Sequence, residues 1–174
     1  MAVVAASRPE TGAVAIREQD RCEMMEYSVL VEQAKSLLES ETWYVAAFSN
    51  ISSLIMGMLP DLNWAGFYLM RNGCLTVGPF QGKPACIHIA PGKGVCGMAV
   101  IRDETIVVPD VHHFPGHIAC DGASESEIVI PIHAGGQVVA VLDIDSPVKE
   151  RFGPEEQAGL EALAGVIEER VLWE

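Results

Sequence analysis

Apolar positions along this chain recur with two different periods, and the switch between them sets the fold class. Tyr27, Leu30, Val31, Ala34, Leu37 and Leu38 keep the i, i+3, i+4, i+7 spacing of one helical face. Ser40-Glu41-Thr42 breaks that run and offers a cap for a second helix. Its stripe is Ala47, Phe48, Ile51, Leu54, Ile55 and Met58, and Pro60 stops it. From Asn63 the period is two: Trp64, Gly66 and Tyr68 face one way, Ala65, Phe67 and Leu69 the other. Asn72-Gly73 predicts a hairpin turn, because both positions tolerate positive φ, with Cys74 as the strand residue that follows. Leu75 to Val77 and Ala85 to Ile89 continue the sheet, and Pro91-Gly92-Lys93-Gly94 turns into a short helix over Val95 to Ile101. Thr105 to Val108, Glu127 to Ile132 and Val138 to Ile144 add three strands, the last two joined by Gly135-Gly136. Gly153-Pro154 opens a final helix with Glu155 and Glu156 in its first turn. Its buried face is Leu160, Leu163, Ala164, Ile167 and Val171. An antiparallel sheet of about six strands, flanked by helices at both ends of the chain, is the α+β class. Residues 1–22 carry no sustained period and are expected to form a flexible tail ahead of one domain spanning 23–174. Cys22, at the edge of that tail, has no predicted role.

Composition narrows the partners. Acidic residues outnumber basic ones 24 to 11, for a net charge of −13, which argues against nucleic acid or an anionic membrane surface. No apolar run approaches the roughly 20 residues of a membrane span. Met1 to Ala6 is apolar but too short for a signal peptide and lacks a basic start. Five cysteines, an odd number in a chain large enough to fold without staples, point to a reducing compartment rather than a disulfide framework.

One of those cysteines carries the chemistry. Phe114-Pro115-Gly116-His117-Ile118-Ala119-Cys120-Asp121 places a thiol on a Pro/Gly-shaped loop between two strands, where reactive groups are commonly presented. Cys86 and Cys96 lie upstream in an equally glycine-rich region. A nucleophilic thiol with a second thiol to capture it is the minimum equipment for reversible redox chemistry. Alternation puts Asp143 and Asp145 on one face of their strand, opposite Leu142 and Ile144, and Glu127 opens the preceding strand beside them. Two readings fit: a solvated acidic strand end, or a site for a ligand bearing a positive group or an acceptor oxygen. In the second, repulsion between neighbouring carboxylates keeps one protonated near neutrality, able to donate a hydrogen bond or a proton. Trp64 and Tyr68 share a face and form either core or an aromatic wall suited to a thioether or S-methyl group. His88, His112, His113 and His117 lie near cysteines, but their spacing fits no compact zinc pattern and no metal is expected. Gly92-Lys93-Gly94 lacks the remainder of a phosphate loop.

Taken together these segments resemble the free methionine-(R)-sulfoxide reductases, enzymes built on a GAF domain. The matching stretches are Asn63 to Tyr68, Gly78 to Cys86, Gly92 to Gly97, Phe114 to Asp121, Ser126 to Val129 and Val141 to Pro147, within a likeness running from about residue 27 to the C-terminus. The resemblance implies a GAF-like fold and thioredoxin-dependent reduction of free L-methionine (R)-sulfoxide to L-methionine, through a cysteine sulfenic acid and an intramolecular disulfide. It implies that Cys120 is the catalytic cysteine, Cys86 the resolving one, and Cys96 a third that takes part in some members. Glu127, Asp143 and Asp145 would hold the substrate and assist at the sulfoxide, and Trp64 and Tyr68 would surround its methyl group. No cofactor would be bound, reducing equivalents coming from NADPH through thioredoxin reductase and thioredoxin. A cytoplasmic homodimer is also implied. The alternative is a GAF module that senses a small molecule or redox state without turning it over. A thiol beside three carboxylates should have a raised pKa. A substrate ammonium and the backbone N–H groups of the Gly116–Cys120 loop are the expected compensations.

Overall fold

The computed structural model describes residues 18–173 except Ala119, with side chains from Met25 onward. Helix α1 (Glu18–Leu37) and helix α2 (Tyr44–Met58) precede strands β1 (Trp64–Arg71), β2 (Cys74–Gly82) and β3 (His88–Ile89). Helix α3 (Gly94–Arg102) leads to β4 (Ile106–Val108) and a 3-10 turn at Val111–His113. Strands β5 (Ser126–Ala134) and β6 (Gln137–Ser146) and helix α4 (Pro154–Arg170) complete the chain. The helix α1 already runs at residue 18, so the expected tail boundary at 22 falls inside it. The rest of that tail and the side chain of Cys22 lie outside the described residues. Among the described residues no helix is long and apolar enough to cross a membrane.

All six strands form one antiparallel sheet in the order β3-β2-β1-β6-β5-β4. Both predicted turns have the positive φ values that their residues permit: Asn72 52° and Gly73 76°, Gly135 60° and Gly136 76°. One strand is shorter than expected. Ala85 to Ile87 is not strand: β2 bulges at Gly78–Pro79, where two residues stand opposite Phe67 alone, and only its first half meets β3. The segment between them becomes an irregular loop that carries Cys86.

The period-two pattern divides the sheet into two buried faces. Ala65, Phe67, Ile128, Ile130, Leu142 and Ile144 pack against α1, α2 and α4, where Phe48 stacks on Phe67 at 3.9 Å and the Tyr27 ring lies against Gly159. Burying these side chains is the main source of stability, at roughly 1.5–3 kcal/mol for each large one. The opposite face, with Trp64, Tyr68, Val129 and Val141, is covered only by the short α3 and by loops. That thinner cover leaves room for a cavity.

Candidate active site

Register builds the floor of the cavity. Glu127 pairs with Asp145 across β5 and β6, and Asp145 with Trp64 across β6 and β1, so the three form one row. Asp143 lies two pairs further along on the same face, opposite Val129. Helix α3 closes one side with Val95 and Cys96, and Lys83–Ala85 together with His117, Ile118, Cys120 and Asp121 form the roof. The acidic group is not a solvated strand end. Glu127 is 5% exposed and Asp143 6%, because α3 and the two loops cover the strands at this point.

Burial dominates the electrostatics. It raises the pKa of Glu127, Asp143 and Asp145 well above the ordinary carboxyl range, and repulsion among the three adds to it. Carboxyl oxygens of Glu127 and Asp143 lie within 4.8 Å of each other, so a proton held by either relieves their repulsion. The Cys96 thiol, 4% exposed, lies within 4.8 Å of Asp143, and burial pushes its pKa up as well. Asp143 Oδ1 has no hydrogen-bond partner among the described residues and is fully buried. A buried acceptor left empty costs free energy, so it is poised for a ligand donor.

Trp64 and Tyr68 belong to the core and also line the cavity. They are 3% and 1% exposed and line the cavity with rings 5.8 Å apart. Trp64 donates from Nε1 to the carbonyl of Lys83 at 3.1 Å. Its ring is seated against Gly82, where a Cβ would approach Trp64 Cδ1 to 2.6 Å and φ is +132°.

Cys120 connects this cavity to the second thiol. Its side chain lines the cavity, and its Sγ lies 2.7 Å from Cys86 Sγ. Both cysteines are free, Cys86 half-buried and Cys120 exposed at the rim. The Cys120 pKa is pushed up to about 12, first by desolvation and then by the Cys86 thiol, with Asp143 a lesser contributor. The direction matches expectation, but its main cause is burial rather than the carboxylates. The backbone N–H of Cys86 pulls the other way.

Three residues here were given no part in the cavity by the sequence. Lys83 pairs with Asp121 at 3.1 Å and so ties together the two loops that bear the thiols. Asn63 donates to Asp121 at 3.3 Å and to Ser124 at 3.0 Å, bracing the loop after Cys120. His117 places Nε2 3.5 Å from Glu127 Oε2. A lone cation and a lone imidazole in loops flanking the cysteines were the available signals.

Among the described residues, two sets of side chains bring metal-ligating atoms together. Cys96, Glu127 and Asp143 converge within 4.8 Å, but their raised pKa values favour protonated forms, which are poor ligands. Asp110, His112 and Glu125 converge at the surface, where the Lys149 ammonium pairs with Asp110 at 2.7 Å and Glu125 at 3.8 Å. Neither set carries a metal assignment.

A GAF domain model matches residues 27–171. Over 142 residues, 82% of this chain and 86% of the relative, the sequence is 48% identical to the free methionine-R-sulfoxide reductase of Escherichia coli. Among solved structures, the reduced form of fRMsr from Staphylococcus aureus superposes with a TM-score of 0.82 at 49% identity, covering 84% of this chain and 95% of that one. The free methionine-R-sulfoxide reductase of Neisseria meningitidis, in complex with its substrate, gives 0.81 at 35% identity over 90% and 92%.

Proposed function

Because this chain belongs to the free methionine-(R)-sulfoxide reductase family of GAF-domain proteins, we propose that it reduces free L-methionine (R)-sulfoxide to L-methionine, with thioredoxin as the reductant. The observation that carries the reading is the position of Cys120, whose thiol faces a buried acidic cavity and touches Cys86. The substrate ammonium pairs with Asp143 and Asp145, and its methyl group rests on Trp64 and Tyr68. Cys120 attacks the sulfoxide sulfur as a thiolate, and a protonated carboxyl, best supplied by Glu127, gives its proton to the sulfoxide oxygen. Methionine leaves and Cys120 is left as a sulfenic acid. Cys86 condenses with it, forming the disulfide and water. The 2.7 Å separation supports Cys86, rather than the buried Cys96, as the first resolving thiol. Thioredoxin then reduces the bond at the exposed Cys120.

The free amino acid is preferred for an electrostatic reason. A free α-ammonium favours the ionised form of the buried carboxyls and of the Cys120 thiol beside them; a peptide bond supplies no such charge. Cytoplasmic location and a homodimer belong to the same proposal, with sedimentation the check on the latter. The decisive experiment is thioredoxin-coupled NADPH consumption with each epimer of free methionine sulfoxide, alongside Cys120→Ser. Turnover of the R epimer that the substitution abolishes is the expected result. Binding without turnover in the unaltered protein would identify a sensor instead.

A further inference from the structure

The proposed reaction moves protons through a site almost closed to water. In the first step a thiol and a sulfoxide become a sulfenic acid and a thioether, so no proton is consumed overall. One proton nevertheless leaves the Cys120 sulfur as another reaches the sulfoxide oxygen. If Glu127 is the donor, it must be recharged for the next turnover, yet it is only 5% exposed. The groups facing it offer few routes. Asp143 and Asp145 on β6 and Cys96 on α3 are enclosed with it in the cavity. The Lys83 ammonium is held by Asp121 on the roof. The remaining contact is His117, whose Nε2 lies 3.5 Å from Glu127 Oε2 and whose side chain is 15% exposed. It stands three residues before Cys120 in the same loop, at the boundary between cavity and solvent.

We propose that His117 is the proton relay of this site, recharging Glu127 after each transfer to the sulfoxide oxygen. Nε2–H gives its proton to Glu127 while Nδ1 takes one from the rim of the cavity. The ring stays neutral and no charge is stranded inside; it is left in the Nδ1–H tautomer, and proton exchange with water at the rim restores Nε2–H before the next turnover. The proton released from the Cys120 thiol restores the balance. Burial lowers the pKa of His117, in keeping with a neutral imidazole at rest. The contact is long for a hydrogen bond, as such contacts commonly are before substrate tightens them. Because His117 acts through Glu127, it is a positioning residue. This inference rests on the reductase reading above.

The test is turnover under thioredoxin-coupled conditions from pH 6 to 9, for the unaltered protein, His117→Gln and His117→Asn, with and without added imidazole. Both variants should lose on the order of 100-fold in kcat. KM should stay within about twofold. Imidazole should restore much of the loss, and the variants should slow more steeply than the parent as pH rises. Rescue by imidazole also separates a lost relay from a damaged fold. Variants that match the parent across the pH range, a loss confined to KM, or a loss that imidazole leaves untouched would overturn the relay. If the unaltered protein itself produced no methionine, the reductase reading would fall and the relay with it.

Discussion

Replacing Asp143 by Asn should make the protein less sensitive to rising pH. Asp143 is 6% exposed, its Oδ1 is unpaired, and burial together with Glu127 raises its pKa well above the ordinary range. A carboxyl whose pKa rises on folding keeps a proton that the unfolded chain has already released near pH 4. Its contribution to stability is therefore fully present below that pH and is lost as pH rises towards the native pKa. Across this window one extra native proton makes stability fall by about 1.4 kcal/mol per pH unit. Asn keeps the shape and removes the titration, so the variant's slope should be shallower by up to about that amount. Urea unfolding at pH 5, 6, 7 and 8 measures it. Asp110 and Asp121, whose pKa values are lowered, titrate below this range, and His117 and His133 are common to both proteins. The expected result is a stability difference, variant minus parent, that grows with pH. A constant or shrinking difference would refute the claim that Asp143 is held protonated by its surroundings. The same variant should lose turnover, since the group that strains the empty site is the one assigned to substrate.

Cys86→Ser should release about one methionine per protein in a rapid burst and then stop, leaving a sulfenic acid that dimedone traps; continued thioredoxin-coupled turnover would exclude Cys86 as the resolving thiol. Gly82→Ala should raise KM several-fold and lower the melting temperature, because the new methyl needs space taken by Trp64 at a φ of +132°; unchanged kinetics would show that Trp64 does not shape the site. N-acetylation of the substrate should lower kcat/KM by at least tenfold by removing the ammonium, and equal activity on both compounds would contradict the electrostatic account.

Alternation and turn chemistry made most of the architecture legible. The opposed sets Trp64/Tyr68 and Ala65/Phe67 on β1, and Asp143 against Leu142 and Ile144 on β6, fall on the two faces that the period predicts. The shortness of β3 was not legible, since it depends on how the bulge at Gly78–Pro79 turns β2 away. Burial of the carboxylates was open for the same kind of reason. Whether Glu127 and Asp143 meet water depends on α3 and on two loops remote in sequence. The Lys83–Asp121 pair spans 38 residues, and no local pattern announces it. His117 was visible as a residue but considered only as a metal ligand, because its neighbour on β5 emerges only once the loop has folded over the sheet.

The two touching sulfurs sit 34 positions apart along the chain, in segments without regular secondary structure. Once joined, they would close a long loop in the denatured ensemble and, on chain-entropy grounds, add about 4 kcal/mol of resistance to unfolding. The spent catalyst should therefore be sturdier than the fresh one. Such a molecule could wait out a shortage of electrons without coming apart, and would be at its most fragile when best supplied.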